Sequence, residues 1–293
     1  LTVAGNVSAD GGTIKLDGNY PVGTDNVALG NNALDDGSLS GSYNTAVGTG
    51  SLSANTSGQQ NASLGAYSLD ANTTGSYNAG FGQSSLGSNT TGSQNTALGR
   101  GALSANTTAS NNTAVGYHAL TANTTGVNNT SVGSQSAQNN TTGARNVSMG
   151  QASLATNTTG SNNIALGYAA LYTNSSGASN VAVGTNALSL STVSDNTAVG
   201  FSALEVNTTG RINTAVGKNS MLANTTGADN SAFGGLTLDA NTTGNSNTAL
   251  GYATLSSNTT ANYNTAVGSL ALHSNTTAGG NTAVGNQAMQ NTT

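Results

Sequence analysis

Few side chains in this 293-residue chain could carry out catalysis, and their positions do not bring them together. His118 and His273 are nine repeats apart and occupy different positions within the repeat, so one metal centre or catalytic triad cannot include both. Asp35 and Asp36 are adjacent, but they lie among turn-forming residues, where carboxylates commonly stabilise turns. The chain has no cysteine, which excludes thiol chemistry and disulfides. We therefore expect no enzyme, no metal site and no cofactor.

Tyrosine is the residue type that suggests a binding contact, because an exposed ring can stack on a sugar. Three tyrosines follow a recurring glycine directly and three precede a recurring asparagine directly, at predicted corners of the chain. The candidate receptor contacts are Tyr43, Tyr77, Tyr117, Tyr168, Tyr252 and Tyr263. Single surface tyrosines are also ordinary in proteins without a receptor, so both interpretations stay open.

All of these residues belong to one repeating pattern. Asn-Thr-Ala-Val-Gly and close variants occur sixteen times, and thirteen of the fifteen intervals between them are seventeen positions long. The interval from Asn26 to Asn44 is one position longer, and the interval from Asn180 to Asn196 is one position shorter. Such a strict period predicts stacked units, because one unit is too small to bury an apolar face alone.

Alternate residues of this five-residue segment have opposite character. The second is mostly β-branched and the fourth is always large and apolar, whereas the third is always Ala, Ser or Gly. The alternation predicts a short strand with one apolar face and one face that a neighbouring backbone approaches closely. The invariant glycine that follows predicts a strand end with positive φ or a close backbone approach.

A second apolar position lies four residues after that glycine and is Leu in thirteen copies. We predict a second short strand here, with its side chain pointing inwards. Asn-Thr-Thr-Gly or a variant follows and predicts a turn. Helices are not expected, because Gly, Asn, Thr and Ser fill most positions. The sequence thus predicts an all-β parallel β-roll, or β-solenoid, of sixteen two-stranded rungs; at ~4.8 Å per rung it would form a rod of roughly 75 Å.

The repeats also define the expected boundaries. We assign residues 1–25 to an N-terminal β lead-in segment and residues 26–293 to the repeat rod. The chain ends at Asn291-Thr292-Thr293, inside a corner, which predicts further sequence beyond it. The corner motif is lost between Asn180 and Asn196, so this rung is predicted to hold a kink, a bulge, a contact site or simply a tolerated corner variant.

The corners allow two other interpretations. Fourteen of them match the Asn-x-Ser/Thr acceptor pattern for N-glycosylation, although Asn, Thr and Gly also simply form the turn. The same corners would stack threonines into rows, and regular threonine arrays can bind ice. The predicted row includes Thr73, Thr90, Thr107, Thr124, Thr141 and Thr158. Its place in corners rather than on a broad strand face argues against an ice-binding protein.

The composition limits the partners. Charged residues are 5% of the chain and the net charge is −5, which argues against nucleic-acid binding. No apolar run is long enough to cross a membrane, so no membrane insertion is expected. Each rung offers few large apolar side chains, so its core is thin and further burial is expected between chains. We predict a homotrimer around the rod axis.

The segment Asn-(Thr/Val)-Ala-(Val/Leu)-Gly followed by Gly-x-x-Ala-Leu resembles the YadA-like head repeats of trimeric autotransporter adhesins. The Asn-Thr-Thr-Gly corners, and residues 12–23 before the repeats, resemble those of bacteriophage tail fibres, in the form found in phages of marine cyanobacteria. The resemblance covers residues 12–293 and implies a left-handed parallel β-roll in which three chains share a hydrophobic axis. The rungs here are longer than many in the family.

The resemblance implies a structural and adhesive function. The expected role is the shaft of a phage tail fibre that extends and presents host-receptor recognition, which places the protein in the virion and outside the cell. The partner would be a host cell-surface glycan or protein. The alternatives are a bacterial trimeric autotransporter adhesin head at the bacterial cell surface and the ice-binding β-solenoid.

Overall fold

The computed structural model describes residues 25–291, in which every regular element is a three-residue β-strand and no helix occurs. The predicted all-β parallel β-solenoid is confirmed. The chain divides into two compact units, Leu1–Ala144 and Arg145–Thr293. The lead-in predicted for residues 1–25 lies outside the described residues, apart from Asp25.

The first unit contains seven strands that pair in parallel, each with the next strand along the chain. Pairing is in register, so that Ala97 lies opposite Ala114 and Leu98 opposite Val115. The strands are β1 (Val27–Leu29), β2 (Thr45–Val47), β3 (Ala62–Leu64), β4 (Ala79–Phe81), β5 (Thr96–Leu98), β6 (Thr113–Val115) and β7 (Thr130–Val132).

The second unit contains nine strands with the same parallel, in-register pairing. The strands are β8 (Val147–Met149), β9 (Ile164–Leu166), β10 (Val181–Val183), β11 (Thr197–Val199), β12 (Thr214–Val216), β13 (Ser231–Phe233), β14 (Thr248–Leu250), β15 (Thr265–Val267) and β16 (Thr282–Val284). The register is kept even between β10 and β11, where the interval is sixteen residues instead of seventeen.

The interior of each unit is a narrow space between the strands and the leucine segments. Leu69 and Leu103 are fully buried, as are the strand-centre residues Ala97 and Ala114. The space is too tight for larger strand centres: a Cβ added to Gly80 would lie 2.6 Å from Ser68 Oγ and 3.4 Å from Leu69 Cδ1. The predicted size limit on the small-residue face is confirmed, but the expected backbone approach is wrong at this position, because side chains of the leucine segments impose the limit.

The second strand predicted for each rung is wrong, because the leucine segment is a series of turns. Leu52 has φ +52°. The Ser51 N–H donates to Gly48 O (3.2 Å) and the Asn55 N–H donates to Leu52 O (3.2 Å), closing two successive turns. Backbone bonds to the next rung are nevertheless kept, as from the Leu52 N–H to Ser68 O (3.1 Å). These tight turns shorten the leucine segment, and each leucine side chain points into the interior of the rung.

The glycine after each strand has positive φ, as predicted, and most of these glycines also lie close to the backbone of the next rung. Gly99 has φ +132°, and a Cβ there would lie 2.5 Å from Gly116 O in the next rung. A side chain is therefore excluded both by backbone conformation and by contact.

Two rows of buried asparagine side chains connect the rungs of each unit; we call them the strand ladder and the corner ladder. In the strand ladder, the backbone N–H of Asn61 donates to Asn44 Oδ1 (3.0 Å). In the corner ladder, Asn72 Nδ2 donates to Asn55 Oδ1 (2.9 Å). Both ladders converge on the corner carbonyl, since Gly75 O accepts from Asn61 Nδ2 (2.9 Å) and Asn72 Nδ2 (3.0 Å).

Candidate functional site

The outward face of the strands is the most extensive candidate surface. Because the small middle residue of each strand points inwards, the first and third strand residues point outwards. The third residue is large and apolar in every rung, and several of these side chains are about half exposed. The most exposed are Leu64, Leu98, Met149, Phe233, Leu250 and Val284. Each unit thus presents a continuous apolar row with one large side chain per rung.

The six predicted tyrosine contacts are all exposed, from 47% for Tyr117 to 73% for Tyr263. They remain distributed along the repeats. Within residues 25–291 the one ring contact made by any of the six is between Tyr117 and His118, with centroids 4.1 Å apart and edge-to-face geometry. The Arg100 guanidinium also lies 5.8 Å from the Tyr117 ring centroid. No described geometry joins the six into one site, and their receptor role stays a prediction.

The two histidines have local hydrogen-bond partners. His118 Nδ1 is 3.2 Å from Thr121 Oγ1, and His273 Nδ1 is 2.6 Å from Ser256 Oγ. Asp239, Ser256 and His273 occupy the same position in three successive rungs, an order that invites comparison with a catalytic triad. Asp239 Oδ1 is buried without a hydrogen-bond partner, and His273 Nδ1 lies within hydrogen-bond distance of Ser256 Oγ and Ala253 O instead. Burial raises the pKa of Asp239, and the nearby His273 partly opposes the increase.

Asp36 acts as a turn residue. Its Oδ1 accepts hydrogen bonds from the hydroxyl of Ser38 (2.5 Å) and from its backbone N–H (2.8 Å), and these bonds lower the pKa of the Asp36 carboxyl. Asp35 is exposed beside it. Among the described residues, no group of three or more His, Asp or Glu side chains is placed to hold a metal ion. The described part of the chain also has no helix suited to crossing a bilayer.

The corner asparagines are unsuited to glycosylation in the folded chain. Asn72 is fully buried, and its Nδ2 donates both to Gly75 O (3.0 Å) and to Asn55 Oδ1 (2.9 Å). The nitrogen that would bear a glycan is therefore enclosed and has both hydrogens engaged. The turn interpretation of Asn-Thr-Thr-Gly accounts for this geometry.

The threonine row at the corners also makes structural hydrogen bonds. Thr73 Oγ1 donates to Thr90 O (3.0 Å), and Thr90 Oγ1 donates to Thr107 O (3.0 Å). Because these hydroxyls bind the backbone of the next rung, their hydrogens are not free to contact ice. Ice binding stays a prediction that this geometry does not favour, and thermal hysteresis at millimolar protein would test it.

The irregular rung between Asn180 and Asn196 interrupts the corner ladder. Ser191 takes the place of the corner asparagine, and both its Oγ and Asn174 Oδ1 are buried without a hydrogen-bond partner. Strand pairing is unaffected, since Val181 lies opposite Thr197. Asn180 Nδ2 donates to Val193 O (2.8 Å) instead of a corner glycine. The rung is a tolerated corner variant with a local loss of polar contacts.

A groove in the first unit was missed by the sequence analysis. It is an open depression of about 440 Å³ lined by Tyr67, Asp70, Ser84, Gly87, Ser88 and Ser104. A signal was present: Tyr67 and Gly87 are the single tyrosine and the single glycine at their respective positions in the sixteen repeats. Each is an exception within a single rung, so the features shared by all sixteen repeats do not reveal it.

Comparison with protein-family models gave no match, and no curated protein or solved structure matched the chain significantly.

Proposed function

We propose that this chain is a structural shaft segment of a trimeric phage tail fibre, which spans distance and presents receptor recognition. The observation that supports it is the apolar row on the outward strand face, repeated in every rung of each unit. Monomeric proteins rarely expose apolar patches of more than a few hundred Å². A homotrimer of left-handed coils would cover these rows around a common axis.

The contacts between rungs suit a load-bearing part. Successive rungs are joined by strand hydrogen bonds, by bonds between leucine segments and by the asparagine ladders, of which the corner ladder is interrupted at Ser191. These contacts are repeated rather than concentrated at one place, as expected for a scaffold. Three copies of a weak receptor contact would gain affinity through multivalency.

The oligomeric state tests the proposal directly. Sedimentation equilibrium of the full chain should give three times the sequence mass. The double variant Leu64→Lys/Leu98→Lys should yield monomers, because six ammonium groups would be brought together around the axis. The matched control Thr74→Lys/Thr91→Lys places the same charges at exposed corners and should remain trimeric. A parent chain that is monomeric and stays folded on dilution would refute the trimer.

The bacterial adhesin head is the alternative setting for the same trimeric fold. Antibodies raised against the repeats would label the tail of a virion if the fibre proposal is right. Labelling of a bacterial cell surface would support the adhesin instead. Sequencing the complete gene distinguishes them independently, through a flanking membrane anchor or a virion attachment region.

A further inference from the structure

We propose that the groove formed by Tyr67, Asp70 and Gly87 in the first unit is a binding site for a neutral pyranose sugar. It is separate from the six predicted tyrosine contacts, and it concerns what the shaft itself binds rather than what it presents.

Two departures from the repeat in neighbouring rungs create the groove. The position of Gly87 carries a side chain in the rungs on either side, Asp70 before it and Ser104 after it. A Cβ added to Gly87 would lie 3.4 Å from Asp70 Oδ1, so the missing side chain opens the space in front of this carboxylate. The groove is open and has a volume of about 440 Å³, so it would contact one face of a small ligand rather than enclose it.

Tyr67 supplies an aromatic wall. Its side chain is 50% exposed, and its ring packs over Gly50, where an added Cβ would lie 2.9 Å from Tyr67 Cδ1. The ring is thus supported by the preceding rung while it lines the groove. A fixed, half-exposed aromatic ring offers a flat apolar surface to the C–H face of a pyranose, with a polar hydroxyl at its edge.

The remaining walls supply hydrogen-bonding groups. Asp70 is partly buried, and burial raises the pKa of its carboxyl. Ser84, Ser88 and Ser104 add three hydroxyls, none of which makes a side-chain hydrogen bond within the described structure. A carboxylate and hydroxyls can pair with the vicinal hydroxyls of a sugar. Among the described residues that line the groove none is Lys or Arg, so Asp70 disfavours uronic and sialic acids.

Saturation-transfer NMR of the full chain tests this site, with the methyl glycosides of glucose, galactose, mannose and N-acetylglucosamine as probes. At least one should show transfer to its ring protons, and methyl glucuronide should show none. Affinity for the positive probe should fall at least tenfold in Tyr67→Ala and in Gly87→Gln. Gln138 occupies the same repeat position as Gly87, so this variant fills the groove with a side chain that the fold accepts.

Tyr172→Ala is the control, because it removes an exposed tyrosine that belongs neither to the groove nor to the six predicted contacts, and it should leave affinity unchanged. Circular dichroism would show that each variant is folded. Absence of transfer for all four probes, a smaller than tenfold loss in either groove variant, or binding of the glucuronide would overturn the assignment. Sedimentation equilibrium tests the trimeric state independently of sugar binding, so one proposal can be refuted while the other stands.

Discussion

Backbone conformation is the most demanding feature at the scale of the single residue. Leucines such as Leu103 (φ +52°) adopt the left-handed conformation, which costs an L-residue ~1–2 kcal/mol. Burying a leucine side chain contributes ~1.5–3 kcal/mol, and Leu103 is fully buried. Burial therefore outweighs the strain at this position. At strand-end glycines such as Gly99, burial of a side chain could not offset the strain of positive φ, because an added side chain would clash with the backbone of the next rung.

Gly99→Ala should strongly destabilise the protein, by ~3 kcal/mol or more, because it combines positive φ with a contact of 2.5 Å to Gly116 O. The urea midpoint measured by circular dichroism would show the loss. Gly37→Ala is the matched control, since nothing lies within 4 Å of its added Cβ. Equal midpoints for the two variants would contradict the steric explanation.

Asp70 should make folding dependent on pH. Burial raises the pKa of its carboxyl above the ordinary value of 3.8, so ionisation opposes folding. The free-energy cost that ionised Asp70 imposes on folding is absent below the unfolded-state pKa and develops as pH rises through the folded-state pKa. Asp70→Asn should therefore be more stable than the parent at neutral pH, and the difference should disappear by about pH 3.

Asp36→Asn is a control whose expected effect on stability at neutral pH is opposite to that of Asp70→Asn. Hydrogen bonds from Ser38 lower the pKa of Asp36, so its ionised form favours folding above the unfolded-state pKa. This variant should be no more stable than the parent at neutral pH. Urea titrations from pH 3 to pH 7 would compare the two, and a stability gain in Asp36→Asn but not in Asp70→Asn would contradict both assignments.

At the scale of the element, the asparagine ladders supply hydrogen bonds between rungs that a three-residue strand is too short to make. Such a strand contributes few hydrogen bonds, so much of each rung depends on turns whose polar groups must be satisfied. Buried asparagines meet this need because each amide both donates and accepts between rungs. Ser191 shows the consequence of an interruption, with two buried polar atoms left unpaired.

Ser191→Asn should stabilise the irregular rung by ~1–2 kcal/mol, because the new amide can bond to Asn174 Oδ1 and receive Asn207 Nδ2. Hydrogen exchange of amides near Ser191 would slow in this variant. Ser191→Ala is the comparison, since it removes the unpaired hydroxyl without restoring the ladder. Faster exchange in Ser191→Asn than in Ser191→Ala would contradict the ladder account.

At the scale of the whole molecule, stability should be a sum over rungs and their interfaces, because contacts within each unit connect neighbouring rungs. The molecule is then tolerant of changes that respect the period. It is intolerant of changes that move leucines, strand centres or asparagines out of their columns, since a register shift reverses inward and outward side chains.

Deletion of residues 112–128, one complete rung, should preserve the fold. The remaining strands β5 and β7 would pair in the register that each has with β6. The urea m-value should fall only in proportion to the surface removed. Deleting residues 112–119 instead should unfold the neighbouring rungs. Similar circular dichroism spectra for the two deletions would contradict a periodic fold.

The groove shows where prediction from sequence was incomplete. Tyr67 and Gly87 were visible as exceptions at their repeat positions, yet they belong to different rungs and are well separated along the chain. Only the stacking of rungs places them, with Asp70, around one space. The six predicted tyrosines were correctly expected at exposed corners, but exposure alone does not make a common site.

The sequence by itself determined the period, the parallel β-solenoid, the small-residue face, the buried leucine and the strand-end glycine. These follow from local rules, because size limits, alternation and conformational preference act within a few residues and are repeated sixteen times. The tertiary structure decided that the leucine segment turns instead of forming a second strand, that asparagines form buried ladders, and which strand face points outwards. Those outcomes depend on contacts between residues one full repeat apart, where packing and hydrogen-bond satisfaction override local preference.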